Sequence, residues 1–150
     1  MADRQNSTDL EPLLTAEQLQ LNLVMNESAG IDNKALALLA VAVAVLLFMA
    51  QAGLRIERWW HGVIIFGPHL LALVCIGFAV WPRRYSGASP DIDKYPENLK
   101  LSRDELLLQL LVNTSAVNKH NNRLNFVRWR WCAMSLVFLL IGAAILFAIL

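Results

Sequence analysis

Few side chains in this sequence could do chemistry, and none of them forms a familiar catalytic motif. Three histidines, His61, His69 and His120, lie on separate segments without the spacing of metal ligands. The chain has no glycine-rich phosphate loop, no H-E-x-x-H, no C-x-x-C and no G-x-S-x-G. Cys75 and Cys132 both lie in apolar blocks, where packing is commoner than a disulfide or a metal pair. We therefore expect no enzyme, no cofactor and no metal site.

Three polar side chains interrupt the apolar blocks and are candidates for the wet side of a pore or for a gate. They are Gln51, His69 and Ser135. An ionisable residue within a membrane span is a functional hypothesis by default. Pro68, which precedes His69, removes one helix hydrogen bond and favours a kink. The structural alternative is that the imidazole bonds a freed backbone carbonyl or a serine such as Ser135.

Asp32 and Lys34, just before the first apolar block, are candidates for contact with a signal or a partner. The Lys34 side chain can instead anchor at lipid headgroups, because its long apolar stem lets the ammonium reach the surface. Asp32 can pair with a cation on a neighbouring helix, either Arg128 or Arg130. Interfacial anchoring and a specific switch both remain open for these residues.

Asparagine is a mediocre helix former, yet five asparagines lie close together before the last apolar block. They are Asn113, Asn118, Asn121, Asn122 and Asn125. An apolar seam with a seven-residue repeat crosses this segment and predicts helix association, in which Asn121 sets the register or the oligomeric state. The seam comprises Leu110, Val117 and Leu124, with Leu107, Thr114 and Asn121 at the partner positions. The alternatives are a solvated polar face, or ligand binding by Asn122, Lys119 and Arg123.

The elements that must position these side chains are three apolar blocks, which predict an all-α membrane protein. About 20 apolar residues in a helix cross the hydrocarbon core of a bilayer. The predicted spans are 35–54, 62–81 and 131–150. All five tryptophans lie at the ends of these spans, where amphipathic rings prefer the headgroup level.

Helical extensions are predicted on one side of the membrane. Capping boxes at Ser102–Glu105 and Thr15–Gln18 predict helix starts, so helices 16–54 and 103–150 continue from cytoplasm into membrane and pack side by side. Residues 1–14 are predicted to be a flexible tail, and 15–150 a single helical membrane domain. Within that domain, 82–130 form a cytoplasmic loop and helix. Eleven of the 13 basic residues then share one side, which predicts a cytoplasmic N-terminus.

Two short stretches resemble small membrane effectors of bacterial antiphage systems, of the Pycsar and SLATT types. One is Glu27 followed by D-N-K-A at 32–35, and the other is N-K at 118–119 in a leucine-rich helix that leads into the last span. The resemblance implies an inner-membrane protein that oligomerises and damages the membrane when an infection signal, such as a cyclic nucleotide, arrives. The residues that it carries over are Asp32, Lys34, Ala35, Asn118 and Lys119.

Two classes of function remain open from the sequence. In the first, copies of the chain associate and permeabilise the membrane, with a holin-like lysis protein as a variant. In the second, the chain is a non-conducting anchor for a cytoplasmic protein. The expected partners are the lipid bilayer, further copies of the chain, and a cyclic nucleotide or a cytoplasmic protein. Nucleic acid is not expected, because the net charge is only +1 and no dense basic run occurs.

Overall fold

The computed structural model describes residues 3–51, 59–81, 83, 85 and 102–149, and every regular element among them is an α-helix. Helix α1 is Asp3–Gln51, α2 is Trp59–Val80 and α3 is Arg103–Ile149. Each helix is long and apolar enough to cross a membrane. The all-α prediction is therefore confirmed for these residues. Part of the predicted first connection, the loop 86–101 and Leu150 lie outside them.

Helix α3 begins at the predicted capping box, so this prediction is confirmed. The Ser102 backbone N–H and hydroxyl both donate to Glu105 Oε2 at 2.8 Å. In return the Glu105 N–H donates to Ser102 Oγ at 3.3 Å. The box satisfies amides that the first turn of a helix leaves without partners.

Helix α1 begins at Asp3, twelve residues before the second capping box, so the predicted start at Thr15 is wrong. The Thr15 hydroxyl donates to the Glu11 carbonyl at 2.9 Å, the bond that Ser and Thr form inside a helix. The physical reason is that Leu14 and Leu10, one and five residues before Thr15, are half-buried, so packing continues the helix upstream. The mobility predicted for 1–14 stays a prediction.

The chain divides into two compact units, which are described separately. Unit 1 comprises Met1–Ser28 and Arg83–Asn125. Unit 2 comprises Ala29–Pro82 and Phe126–Leu150. Unit 1 therefore contains the first part of α1 and the first part of α3, whereas unit 2 contains the remainder of both helices and all of α2.

The core of unit 2 is a stack of three buried clusters, to each of which all three helices contribute. They are Ile31, Ala35, Ala79 and Cys132; Ala42, Ala72, Ile76 and Leu139; and Met49, Ile65 and Leu146. Residue numbers rise along α1 and α3 but fall along α2 from cluster to cluster, so α2 is antiparallel to the other two. The alanines in the first two clusters allow the helices to approach closely.

Candidate functional site

His69 is the most deeply buried ionisable side chain on α2. The side chain is fully buried, and Nδ1 lies 3.1 Å from the Ile65 carbonyl oxygen. A carbonyl only accepts, so Nδ1 carries the proton of this bond. Within the described part of the chain, Nε2 has no hydrogen-bond partner. A buried polar atom without a partner costs free energy, which makes His69 an unusual residue for a helix core.

The His69 ring lies directly against Gly142 of α3. A Cβ added at Gly142 would come closer than 3.0 Å to three atoms of the imidazole, Cε1, Nε2 and Nδ1. Only glycine leaves room for the ring at its present position. By contrast, a Cβ added at Gly67 or Gly77 of α2 would meet nothing within 4 Å.

The other two candidates for a wet surface have different surroundings. Ser135 is fully buried and donates to the Cys132 carbonyl of its own helix at 2.7 Å. Gln51 is exposed at the last residue of α1. His69 thus bonds a backbone carbonyl, as the structural alternative for this residue expected. The acceptor is the Ile65 carbonyl, and Ser135 bonds its own helix instead of the imidazole. The pore or gate roles of the three stay predictions.

Arg128 joins the three helices of unit 2 at the level of the first cluster. It is only 4% exposed, and its Nε donates to the Ala79 carbonyl at 2.7 Å. Its Nη2 bonds and pairs with the Asp32 carboxylate of α1. Because α2 ends at Val80, Ala79 is among the last residues whose carbonyls lack a helical donor. The pairing predicted for Asp32 is confirmed with Arg128, while Lys34 is exposed.

Unit 1 is held by asparagines of α3 that bond the backbone of α1. Asn118 Nδ2 donates to the Glu17 carbonyl at 3.0 Å and to its Oε2 at 2.6 Å. Asn125 Nδ2 donates to the Val24 carbonyl at 2.8 Å, and Asn125 Oδ1 accepts from the Tyr85 hydroxyl at 2.7 Å. The two Asn-to-carbonyl pairs have the same offset of 101 residues, so the helices run parallel in a fixed register within unit 1.

The buried stripe of α3 in unit 1 is polar, which corrects the apolar positions of the predicted seam, whereas its partner positions Thr114 and Asn121 are buried as expected. Its members are Thr114, Asn118, Asn121 and Asn125, all at most 3% exposed. The predicted seam residues Leu110, Val117 and Leu124 are only half-buried. The physical reason is that amide side chains can bond backbone carbonyls of a close neighbouring helix, which leucine cannot do. A solvated polar face is also wrong for these three asparagines, whereas Asn113 and Asn122 are exposed.

The structure separates the remaining signal-contact candidates from this stripe. Lys119, Asn122 and Arg123 are exposed on α3, whereas Asn118 and Asn121 are buried. A single ligand therefore cannot contact all five side chains while this packing persists. Their roles in binding stay predictions. Among the described residues no group of three or more His, Cys, Asp or Glu side chains could hold a metal ion.

Sequence reasoning missed the Ala79 carbonyl and the pairing of Gly142 with His69. A backbone carbonyl has no sequence signal, whereas a glycine within an apolar span indicates close helix approach but does not identify the side chain that will lie against it. The polar stripe had one available signal, the spacing of Asn118, Asn121 and Asn125 by three and four residues. No family model, curated protein or solved structure matches this chain.

Proposed function

We propose that this protein is an integral inner-membrane effector of bacterial antiphage defence, which oligomerises and permeabilises the membrane when an infection signal arrives. The antiphage setting and a cyclic nucleotide as the signal rest on the sequence resemblance. The cytoplasmic N-terminus rests on the distribution of basic residues. The multi-pass topology is supported by three helices that are long and apolar enough to span a bilayer.

The observation that carries the permeabilising step is the packing of His69 against Gly142. A fully buried imidazole with an unpartnered Nε2 is costly among apolar helices, and such residues often mark ion or proton paths. In the packing observed, the ring is sealed against the α3 backbone. In this proposal, the packing of His69 against Gly142 is the closed state of the protein.

Opening requires α3 to move away from α2 at Gly142, which exposes Nε2 to water. Three helices are too few to surround an aqueous path and keep their lipid face apolar, so several copies must assemble. A symmetric ring is the common way to do so. The signal acts by favouring the packing in which His69 is exposed.

Substitution of Gly142 tests the proposed gate without knowledge of the signal. Gly142→Ala places a methyl group in the volume of the His69 ring. Overpacking typically costs about 1–3 kcal/mol, which would shift the balance from closed to open by about 5- to 150-fold. We expect purified Gly142→Ala in liposomes to release a small dye without any signal, while the native chain stays closed. Gly77→Ala is the matched control and should behave like the native chain.

Two further variants distinguish gating from misfolding. His69→Ala combined with Gly142→Ala removes the clash and should restore the closed state. His69→Leu should fold with the native helix content but conduct less when the signal is supplied. If Gly142→Ala is folded, associates and leaks no more than Gly77→Ala, His69 is a packing residue and the proposal loses its support.

A specific observation also favours the anchoring alternative. Unit 1 exposes large apolar side chains that would be unfavourable in water unless a partner covers them. They are Leu13, Leu19, Leu23, Leu108 and Val112, each more than half exposed. If Leu19→Asp with Leu23→Asp abolishes recovery of a cytoplasmic protein, and no variant conducts, the chain is an anchor. If the double variant instead abolishes self-association and flux together, this surface belongs to the effector.

A further inference from the structure

Unit 2 contains an apolar groove between α1 and α3, and neither His69 nor Gly142 lines it. It is lined by Ile31, Ala37 and Leu38 of α1 and by Cys132, Ala133 and Leu136 of α3. Its volume is about 310 Å³, at the lower end of the range for ligand pockets. A groove of this size and chemistry fits a single hydrocarbon chain better than a polar molecule.

One end of the groove carries a positive charge. Lys34 lines this end, and among the described residues no carboxylate pairs with its ammonium. The nearest acidic residue in sequence, Asp32, is already paired with Arg128. Among the described residues, Lys34 is therefore a cation of the groove lining without a paired carboxylate.

The same end carries an aromatic ring suited to the membrane surface. Trp129 lines the groove beside Lys34 and is half-exposed. Tryptophan favours the headgroup level of a bilayer. From Trp129 to Leu136 the groove follows α3 for roughly 10 Å at 1.5 Å per residue, which is the direction an acyl chain takes from its headgroup.

We propose that this groove binds one acyl chain of an anionic glycerophospholipid. The phosphate accepts a hydrogen bond from the Lys34 ammonium, and the chain lies along Ala37 and Ala133 towards Leu136. A free phosphate or nucleotide would leave the apolar part of the groove empty. The cation at the mouth distinguishes an anionic lipid from a zwitterionic one.

The charge recognition is tested by lipid retention. The full chain, purified in detergent, is given equal amounts of phosphatidylglycerol and phosphatidylcholine with the same acyl chains, and bound lipid is counted by native mass spectrometry. A basic residue near anionic lipid contributes about 1 kcal/mol, which corresponds to about a fivefold preference for phosphatidylglycerol. Lys34→Gln should reduce this ratio to about one. The control is Arg103→Gln, an exposed basic residue of unit 1, which should keep it.

The acyl-chain site is tested by filling the groove. Ala37→Leu adds bulk inside it, whereas Ala40→Leu adds the same bulk to an exposed position of α1 that does not line it. We expect Ala37→Leu to lower retention of both lipids several-fold and Ala40→Leu to leave it unchanged.

Three outcomes would overturn the proposal. If the native chain retains the two lipids equally, Lys34 does not recognise the headgroup. If Ala37→Leu and Ala40→Leu retain equal amounts of lipid, the groove does not bind an acyl chain. Efficient cross-linking of Ala37→Cys between copies in membranes shows that a second chain covers the groove instead of lipid.

Discussion

The buried residues of α3 have the same spacing in units 1 and 2, but their side chains are mainly polar in unit 1 and mainly apolar or small in unit 2. Buried residues follow one another by three and four along the helix in both units, which is the spacing of a coiled-coil seam. In unit 1 the seam is Thr114, Asn118, Asn121 and Asn125. In unit 2 it contains Cys132, Ser135, Leu139, Gly142 and Leu146.

The difference indicates how each unit fixes one arrangement of its helices. Hydrogen bonds from Asn118 and Asn125 to the α1 backbone are directional, so they specify the register of unit 1. Apolar side chains alone specify little where the surroundings are also apolar, as they are in lipid. Unit 2 obtains its specificity from a close contact, Gly142 with His69, and from one buried charge, Arg128.

The largest effect is expected at that charge. Arg128→Leu removes the donor to the Ala79 carbonyl and the guanidinium that pairs with Asp32, so the free energy of unfolding of unit 2 should fall by about 3 kcal/mol. The measurement is equilibrium unfolding in mixed micelles. Arg130→Leu, an exposed neighbour, should change it by less than about 0.5 kcal/mol. Equal losses for the two arginines would mean that charge, rather than buried bonding, decides the stability of unit 2.

A smaller loss is expected in unit 1 from Asn125. Asn125→Leu removes its bond to the Val24 carbonyl and removes one acceptor of the Tyr85 hydroxyl, which should lower the free energy of unfolding by about 1–2 kcal/mol. Asn122→Leu, on the exposed face, is the control. If Tyr85→Phe lowers the free energy of unfolding by the same amount, the bond from the Tyr85 hydroxyl, rather than the bond to α1, accounts for the loss.

The start of α3 should respond to the capping box and to pH. Ser102→Ala should cost about 1 kcal/mol of helix stability, whereas Ser115→Ala, an exposed serine within α3, should not. Hydrogen bonds from the Ser102 backbone N–H, and secondly from its hydroxyl, lower the pKa of Glu105 below its ordinary value of 4.5.

The sign of the pH effect follows from that shift. A lowered pKa means that the folded state favours the carboxylate, so the contribution is fully present above about pH 4.5 and is lost as the pH falls through the lowered pKa. Amide exchange of Glu105 and Leu106 should accelerate over that range. In Ser102→Ala the acceleration should be smaller but still present, because the backbone N–H of residue 102 still donates to Glu105. In Glu105→Gln it should vanish; if it persists there, another group controls the end of the helix.

The smallest effect on stability, and the sharpest test of the comparison, is expected at Asn118. Its Oδ1 is buried without a partner in the described chain, and the Glu17 carbonyl keeps its own helical donor when the amide is lost. The Glu17 carboxylate, which also accepts from Nδ2, is only half-buried and can be hydrated instead. Asn118→Leu should therefore change the free energy of unfolding by less than about 0.5 kcal/mol while loosening the register of unit 1.

Cysteine cross-linking measures that register. Ala16→Cys with Ser115→Cys reports the native arrangement, because both residues line one groove of unit 1. Leu23→Cys with Ser115→Cys reports a shift of one heptad. The shifted pair should cross-link in Asn118→Leu and not in the native background. No shifted product would show that Asn125 alone is sufficient to hold the register.

The sequence predicted the features that depend on local chemistry. The three apolar blocks and the Ser102–Glu105 box form as expected because each depends on residues near in sequence. Thr15–Gln18 has the same pattern as that box, yet no helix starts there, because the packing of Leu10 and Leu14 extends the helix past it. A capping pattern indicates where a helix can start, and tertiary packing decides whether it does.

The candidate site was predictable only where a charged side chain had an obvious partner. Asp32 and Arg128 meet as anticipated, since opposite charges beside apolar segments of neighbouring helices have few other partners. The asparagine stripe was not predictable from apolar periodicity, which favoured Leu110 and Leu124. Asparagine can satisfy its amide in water or on a neighbouring backbone, and the sequence does not say which backbone will lie within reach.

The bonding of Arg128 has a consequence for biosynthesis. Asp32 and Ala79 are made first, and the arginine follows 49 residues after Ala79. At 5–20 residues per second, the ribosome leaves α2 without this donor for about 2 to 10 seconds. We expect chains stopped at Trp81 to be degraded faster than full-length chains in a pulse-chase experiment, and full-length Arg128→Leu to be degraded at a rate nearer to that of the truncated chain. The third helix would then act as a checkpoint: quality-control proteases can discriminate against α1–α2 hairpins until translation supplies the guanidinium that completes them.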